Sequence, residues 1–384
     1  MTGLTGEELV NLMERVFGRR PEDHQLAILA DLPDSSTPDN PAWHARREMA
    51  ADWARLLRAR AVDLGLDAVH LILYRNVGTN NGDLPAACVL HDTGPLPATA
   101  DDMSGHELPF DTVLATHQIL VAPTHFSATA PLKMAARAHR YRAATMPGFT
   151  PEMIPALRLD YGRIAARVRA LKRLLDEAMR ADFVFETPAA PARLTLDLRH
   201  RLAHESSGLL REPGMAGNLP SGEAYIVPYE GEIAGDPTGS AGELPVQFGN
   251  EIVVYEVLNN VAVRVLTQGP AAALEAEKLA AEPAYGNIAE LGLGVLGELG
   301  VKPAGELLLD EKLGLHIAFG RSDHFGGQVG PARFSRPDRV VHIDWVYTES
   351  IQPMIRVAEV TLAMPSGDPV LLMRDGRYVV RFED

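Results

Sequence analysis

Cysteine is almost missing from this 384-residue chain, where Cys88 stands alone. No intrachain disulfide can form, and any metal must be held by His, Asp, Glu or Tyr. Such oxygen-rich ligation favours Zn, Mn, Co or Fe over a thiolate site. Cys88 itself, in an apolar run, reads as a small buried side chain. Basic charge is scarce too: 36 Lys and Arg against 51 Asp and Glu leave a net charge of −15. A chain without a basic field has little with which to displace counterions from phosphate, so nucleic acid is not an expected partner. The Arg-rich stretch 163–180 is the local exception. Ile164, Val168, Leu171 and Leu174 recur beneath its arginines at helical spacing, the pattern of a solvated helix face. No apolar run approaches the roughly 18 residues that span a bilayer, and residues 1–8 lack the basic and apolar regions of a targeting segment. The expectation is a cytoplasmic protein with no membrane partner. No strand candidate is followed by a dinucleotide fingerprint. Residues 77–82 lack both the Walker lysine and the GxGxxG spacing, and read as a turn. Internal repeats and low-complexity tracts are also wanting.

What is present is an ordinary globular composition, 46% hydrophobic and 23% charged, with length for two domains. Residues 1–185 read as an α/β domain with a largely parallel sheet. An amphipathic helix over 49–64 precedes a strand over 68–74, further strand-like runs lie at 26–32, 112–115 and 119–122, and a helix at 130–142 precedes a short strand and turn at 143–148. At 183–191 alanines and prolines mark a linker. Residues 186–384 then read as an α+β, strand-rich domain, with strands at 194–198, 251–257, 261–265 and 378–382 and one clear helix at 271–281.

The second half carries the chemistry. In the run 340–345 the period-2 alternation of a strand puts His342 and Asp344 on one face, half of a metal site. In 310–320, Leu313, Leu315, Ile317 and Phe319 share one face while Gly314, His316, Ala318 and Gly320 share the other, so His316 looks into space left by small residues. The runs 218–225 and 287–294 each place a single acid, Glu223 and Glu290, among apolar residues, where a lone buried carboxylate is costly. If Glu223, Glu290, Glu311 and Asp344 meet, carboxylates about 4 Å apart repel by roughly 4 kcal/mol at an effective dielectric near 20. Two divalent ions would balance four carboxylates, with His316 and His342 as neutral nitrogen ligands. Blander readings stand beside this one. Glu223 and Glu290 could be paired within the core, Glu311 an exposed turn residue beside Lys312, His342 and Asp344 a hydrogen-bonded couple, and His316 a satisfied core histidine. The other histidines, including His24, His44, His91, His106, His139, His200 and His204, read as surface or helix-end residues.

The Asn-Leu-Pro-Ser-Gly-Glu run ending at Glu223, the Ala-Glu-Leu-Gly run holding Glu290, the Asp-Glu-x-x-x-x-His run joining Glu311 to His316, and the final His-Ile-Asp together resemble the thermophilic aminopeptidase family of metallopeptidases. Residues 124–128, 146–153 and 212–214 add to a likeness with its leucyl-aminopeptidase-like branch. The resemblance implies a two-domain homodimer with two divalent metals (Zn, Mn or Co) on Glu223, Glu290, Glu311, His316, His342 and Asp344. Its substrate would be a small peptide or amide, cut through a metal-bridging water. In the hydrolase reading of these residues, His125, Asp323 or His324 could pass a proton to the leaving amine, Tyr225 could contact substrate, and Glu212 reads either as an ion-pair partner beside Arg211 or as a substrate contact. The family's tyrosine a few residues after the first site histidine is missing, since 320–327 reads Gly-Arg-Ser-Asp-His-Phe-Gly-Gly. A second branch that resembles the same fold contains Fe(II)-dependent dioxygenases that open dihydroxypyridine rings at a mononuclear site. A specialised biosynthetic or binding protein on this fold is the third alternative.

Overall fold

The computed structural model describes residues 3–365 and 367–382, which form two compact units. The first is assembled from residues up to 165, 208–221 and 304–309, and the second from 166–207, 222–303 and 310 onward. The expected boundary at 185/186 falls inside the second unit, at the end of a strand.

The first unit is built on a seven-stranded sheet of order β10-β6-β5-β1-β2-β3-β4. Its strands are β1 (Gln25–Leu32), β2 (Ala68–Arg75), β3 (Ala87–Leu90), β4 (His106–Pro109), β5 (Ile119–Ala122), β6 (Arg142–Thr145) and β10 (Ala216–Asn218). The five from β10 to β2 run parallel, and β3 pairs antiparallel with β2 and β4 antiparallel with β3. The parallel strands are near-continuous apolar runs because both of their faces are covered. The first long helix after β1 spans Pro41–Arg58, beginning at Pro41 and not at residue 49, and 61–64 is a separate 3-10 turn. Asn40 sets that start by accepting the Trp43 N–H at 2.9 Å, with Pro41 at the first helical position. Residues 112–115, expected as strand, belong to a helix over Phe110–Thr116 whose Phe110, Val113 and Leu114 enter the core. A four-residue apolar run carries no period by which to tell strand from helix.

The second unit holds two antiparallel sheets. The larger has the order β14-β13-β12-β8-β7-β18-β19-β20. It comprises β7 (Arg180–Glu186), β8 (Ala192–Asp197), β12 (Ala241–Phe248), β13 (Glu251–Leu258), β14 (Val261–Val265), β18 (Arg356–Ala363), β19 (Val370–Arg374) and β20 (Arg377–Tyr378). The stretch read as a linker is a hairpin here: β7 pairs with β8, and the alanines and prolines after Glu186 form its turn around the Thr187 hydroxyl. Of the strand expected at 378–382, only Tyr378 is in a strand. The helix Pro270–Ala281 is as expected. The smaller sheet, β17-β16-β15-β11-β9, consists of β9 (His204–Ser206), β11 (Glu223–Ile226), β15 (Ile288–Gly294), β16 (Leu315–Gly320) and β17 (His342–Val346).

One buried ion pair fastens the first unit. Arg142 on β6 is 1% exposed and its guanidinium bonds Asp23 and donates to the Phe17 carbonyl. Replacing it by methionine strands the Asp23 carboxylate, so Arg142→Met is expected to lower the unfolding free energy by about 3–5 kcal/mol in urea titrations. A loss under about 1 kcal/mol would show that water reaches Asp23.

Candidate metal centre

Strand register assembles the site on one face of the small sheet. Ala318 on β16 stands opposite both Glu290 on β15 and Asp344 on β17, Gly320 stands opposite His342, and His316 stands opposite Gly292. Gly292 in turn faces Tyr225, and Gly294 faces Glu223, on β11. Directly opposed residues of an antiparallel pair point to the same side, so the acids and imidazoles converge while Ala318, Gly320 and Gly292 leave room among them. The use of glycine is specific: a Cβ at Gly292 would lie 1.9 Å from His316 Nε2. The imidazole lies across the place where a side chain would stand.

Both histidines present Nε2 to carboxylates. His316 Nε2 lies 3.3 Å from Glu290 Oε1 and 3.6 Å from Glu223 Oε2, and His342 Nε2 lies 3.3 Å from Glu290 Oε2 and 3.5 Å from Asp344 Oδ1. Their other nitrogens face backbone carbonyls, His342 Nδ1 at 2.8 Å from Arg321 O and His316 Nδ1 at 3.4 Å from Gly314 O. A carbonyl can only accept, which assigns the proton to Nδ1 and leaves the Nε2 lone pair toward the acids, the arrangement of metal-ligating histidines. Two donor groups result, Glu223 with Glu290 and His316, and Glu290 with His342 and Asp344, joined through Glu290. Glu223 Oε2 is buried and makes no hydrogen bond. An orphaned carboxylate oxygen, two imidazoles in the ligating tautomer and a glycine cradle fit a divalent cation.

Without such an ion the cluster's protons redistribute. Burial disfavours a charged imidazole, yet Glu290 and Glu223 outweigh it and hold His316 up at about 9. Burial is likewise outweighed at His342, which Asp344 and Glu290 keep well above its ordinary range. Glu290 is held well below the carboxylate range, because its bonds to the two histidines overcome burial. Burial pushes Glu311 up to about 8 against the pull of Lys312. That lysine escaped the sequence reading. Lys312 is 2% exposed, and its ammonium bonds both Glu223 Oε1 and Glu311 Oε1. Glu311 is thus no exposed turn residue, its side chain being 15% exposed.

The remaining candidates are dispersed. His324 stands beside the site, its ring 5.3 Å from that of His342, and burial with the neighbouring His342 and Arg321 pulls it down to about 4. Asp323 is bound by Arg321. Tyr225 is buried between His204 and Phe325, and burial with Glu290 and Glu223 nearby keeps its phenol protonated. His125 and Glu212 belong to the first unit. There the His125 ring stacks on Trp43 at 4.1 Å, its backbone N–H donating to the buried Asp31 carboxylate, and Glu212 pairs with Arg20 at 71% exposure. A further acid, Glu230, was also missed. It accepts from Ser322 Oγ at 2.6 Å, Asn287 Nδ2 at 3.0 Å and the Gln328 N–H, and so pins the loop bearing His324 and Phe325. Glu230 lies in a run with no periodicity, so nothing in the sequence marks it.

Two outcomes follow from this geometry. Gly292→Ala is expected to expel His316 from its position against Glu290 and to weaken binding of Zn(II) at least tenfold by calorimetry; unchanged affinity would show that His316 does not support the metal site. In the metal-free protein, Glu311 and His316 are raised above their ordinary 4.5 and 6.5. Their contribution to stability is complete below those values and is lost as pH climbs through 8 to 9. Melting temperature in EDTA should therefore fall between pH 6.5 and 9 and recover when a divalent ion is added. A flat profile would count against the buried cluster.

No known family's sequence model matches the chain, and no curated protein sequence does. Among solved structures the chain is similar to the 2,5-dihydroxypyridine dioxygenase from Pseudomonas putida, with TM-score 0.59 and 15% identity over 98% of this chain and 99% of that one. It is also similar to wild-type AmpT from Thermus thermophilus, with TM-score 0.55 and 17% identity over 98% and 99%. At these identities the likeness is one of fold.

Proposed function

We propose that the chain is a metal-dependent hydrolase of the aminopeptidase type, cutting an amide next to a free amine in a small substrate. The observation that carries this reading is the donor set itself: four carboxylates, Glu223, Glu290, Glu311 and Asp344, and two imidazoles, His316 and His342, in one small-sheet cluster. An oxygen-rich set of this kind suits Zn, Mn or Co and the activation of water. The fold shared with AmpT, an aminopeptidase, agrees with it. When bound, such an ion would lower the pKa of a coordinated water and polarise the scissile carbonyl.

The chain's own groups supply the rest. Glu223 Oε2, the carboxylate oxygen of the cluster that makes no hydrogen bond, attracts the substrate's ammonium. Tyr225, kept protonated, offers a phenol to the carbonyl oxygen as negative charge develops there, a service the missing tyrosine of 320–327 would otherwise perform. His324, neutral at physiological pH, accepts a proton from water and returns it to the leaving amine. The rings of Phe325, His324 and Tyr225 form an apolar collar suited to a hydrophobic side chain on the substrate. We assign His125 no part in these steps.

A second reading is favoured by one observation. Lys312 pairs off Glu223 and Glu311, which leaves His316 and His342 with Glu290 and Asp344, near the two-imidazole, one-carboxylate pattern of Fe(II) oxygenases. The shared fold with the Pseudomonas dioxygenase agrees with this second reading. The readings separate by experiment. Protein reloaded with Zn, Mn or Co should release chromogenic amine from several aminoacyl amides, and Glu290→Gln should reduce that release at least a hundredfold. Oxygen consumption with dihydroxypyridines under Fe(II), with no amide cleaved, would replace the hydrolase by the dioxygenase.

A further inference from the structure

The Lys312 ammonium sits where the carboxylate cluster needs a cation. The side chain is 2% exposed, and both oxygens it bonds belong to carboxylates of the donor cluster. Its backbone is locked there. The Leu296 N–H donates to Lys312 O at 2.9 Å, and a Cβ on Gly294 would come within 2.3 Å of the Lys312 carbonyl carbon, so the close approach of β15 to the 3-10 turn bearing Lys312 needs a glycine at 294. Glu223 Oε1 and Glu311 Oε1 are consequently turned to nitrogen. A divalent ion on those same oxygens would stand against the ammonium with no water between them, two cations in direct contact. Of the two donor groups, the one with His316 includes a carboxylate, Glu223, whose other oxygen is bonded to the ammonium, whereas no member of the group formed by Glu290 Oε2, His342 Nε2 and Asp344 Oδ1 is bonded to the lysine. Three protein donors with open positions beyond them is how a single reactive ion is held.

We infer that Lys312 fills the place of a second divalent ion, so that the cluster takes one ion per chain, on Glu290, His342 and Asp344, with the ammonium as a fixed partner charge. The inference rests on the metal-dependent reading above and replaces the two-ion expectation of the sequence. It also gives the four carboxylates different duties. Glu223 and Glu311 hold the lysine, while Glu290 and Asp344 hold the metal.

The test is a count. The full-length protein, stripped with chelator, is equilibrated with excess Zn(II), and separately Mn(II), then desalted and analysed by elemental mass spectrometry. One ion per chain is expected in the wild type, and two in Lys312→Met, which keeps the length of the side chain and frees both carboxylates. Two ions in the wild type, or still one in the variant, overturns the inference while leaving the metal-dependent reading intact. No ion with either metal overturns both. Should Lys312→Met fail to fold, Glu223→Gln provides the second arm. It is expected to keep its single ion, and loss of that ion would show that Glu223 is a ligand. Co(II) titration of the wild type, followed by visible absorption, should saturate at one equivalent.

Discussion

Mutual repulsion among buried carboxylates is the constraint on which the second unit turns. Glu223 and Glu290 are 5% and 4% exposed, and Asp344 and Glu311 stand with them behind strands whose other side is apolar core. Such a group cannot persist as bare anions. Protonated histidines, a lysine and a neutral Glu311 relieve it in the metal-free protein, and a divalent ion relieves it better. The positions kept small around the cluster, Gly292, Ala318 and Gly320, follow from the same need, because the cations must come close to the oxygens.

The antiparallel small sheet makes this arrangement possible. Its register sets Glu290, Ala318 and Asp344 in one row and Tyr225, Gly292 and His316 in the next. Glu223, Glu290, His316, His342 and Asp344, from four strands, thus share a face without any loop having to place them, and only Glu311 comes from a turn. Loops are left to supply the surroundings. Glu230 gathers Ser322, Asn287 and Gln328 and so fixes the turn that brings His324 and Phe325 alongside His342.

Much of this was legible in the sequence for a simple reason. The alternation that set His342 with Asp344, and His316 with Gly314, Ala318 and Gly320, is local and survives any tertiary context. Lys312 was hidden by the same rule. Parity along an imagined strand turns neighbouring residues apart, whereas residues 311–313 form a 3-10 turn in which Glu311 and Lys312 meet each other. Element types were legible where runs were long, as at β1 and β2, and were lost where a cap or a turn decided. Asn40 moved a helix start, and the Thr187 turn converted an apparent linker into a hairpin. His125 sat on a loop after a parallel strand, as its sequence position implied, but its packing on Trp43 and Asp31 could not be read from neighbours far away in the chain.

The first unit takes its edge strand β10 from residues 216–218 and a further piece from 304–309, while the intervening chain builds the other unit. During synthesis, then, the parallel sheet emerges from the ribosome without its last strand and waits for it. Synthesis must reach residue 309 before that unit owns all its parts. Nascent chains of this protein pass through a long interval with an open sheet edge at β6, and that interval is when a chaperone would find most to hold.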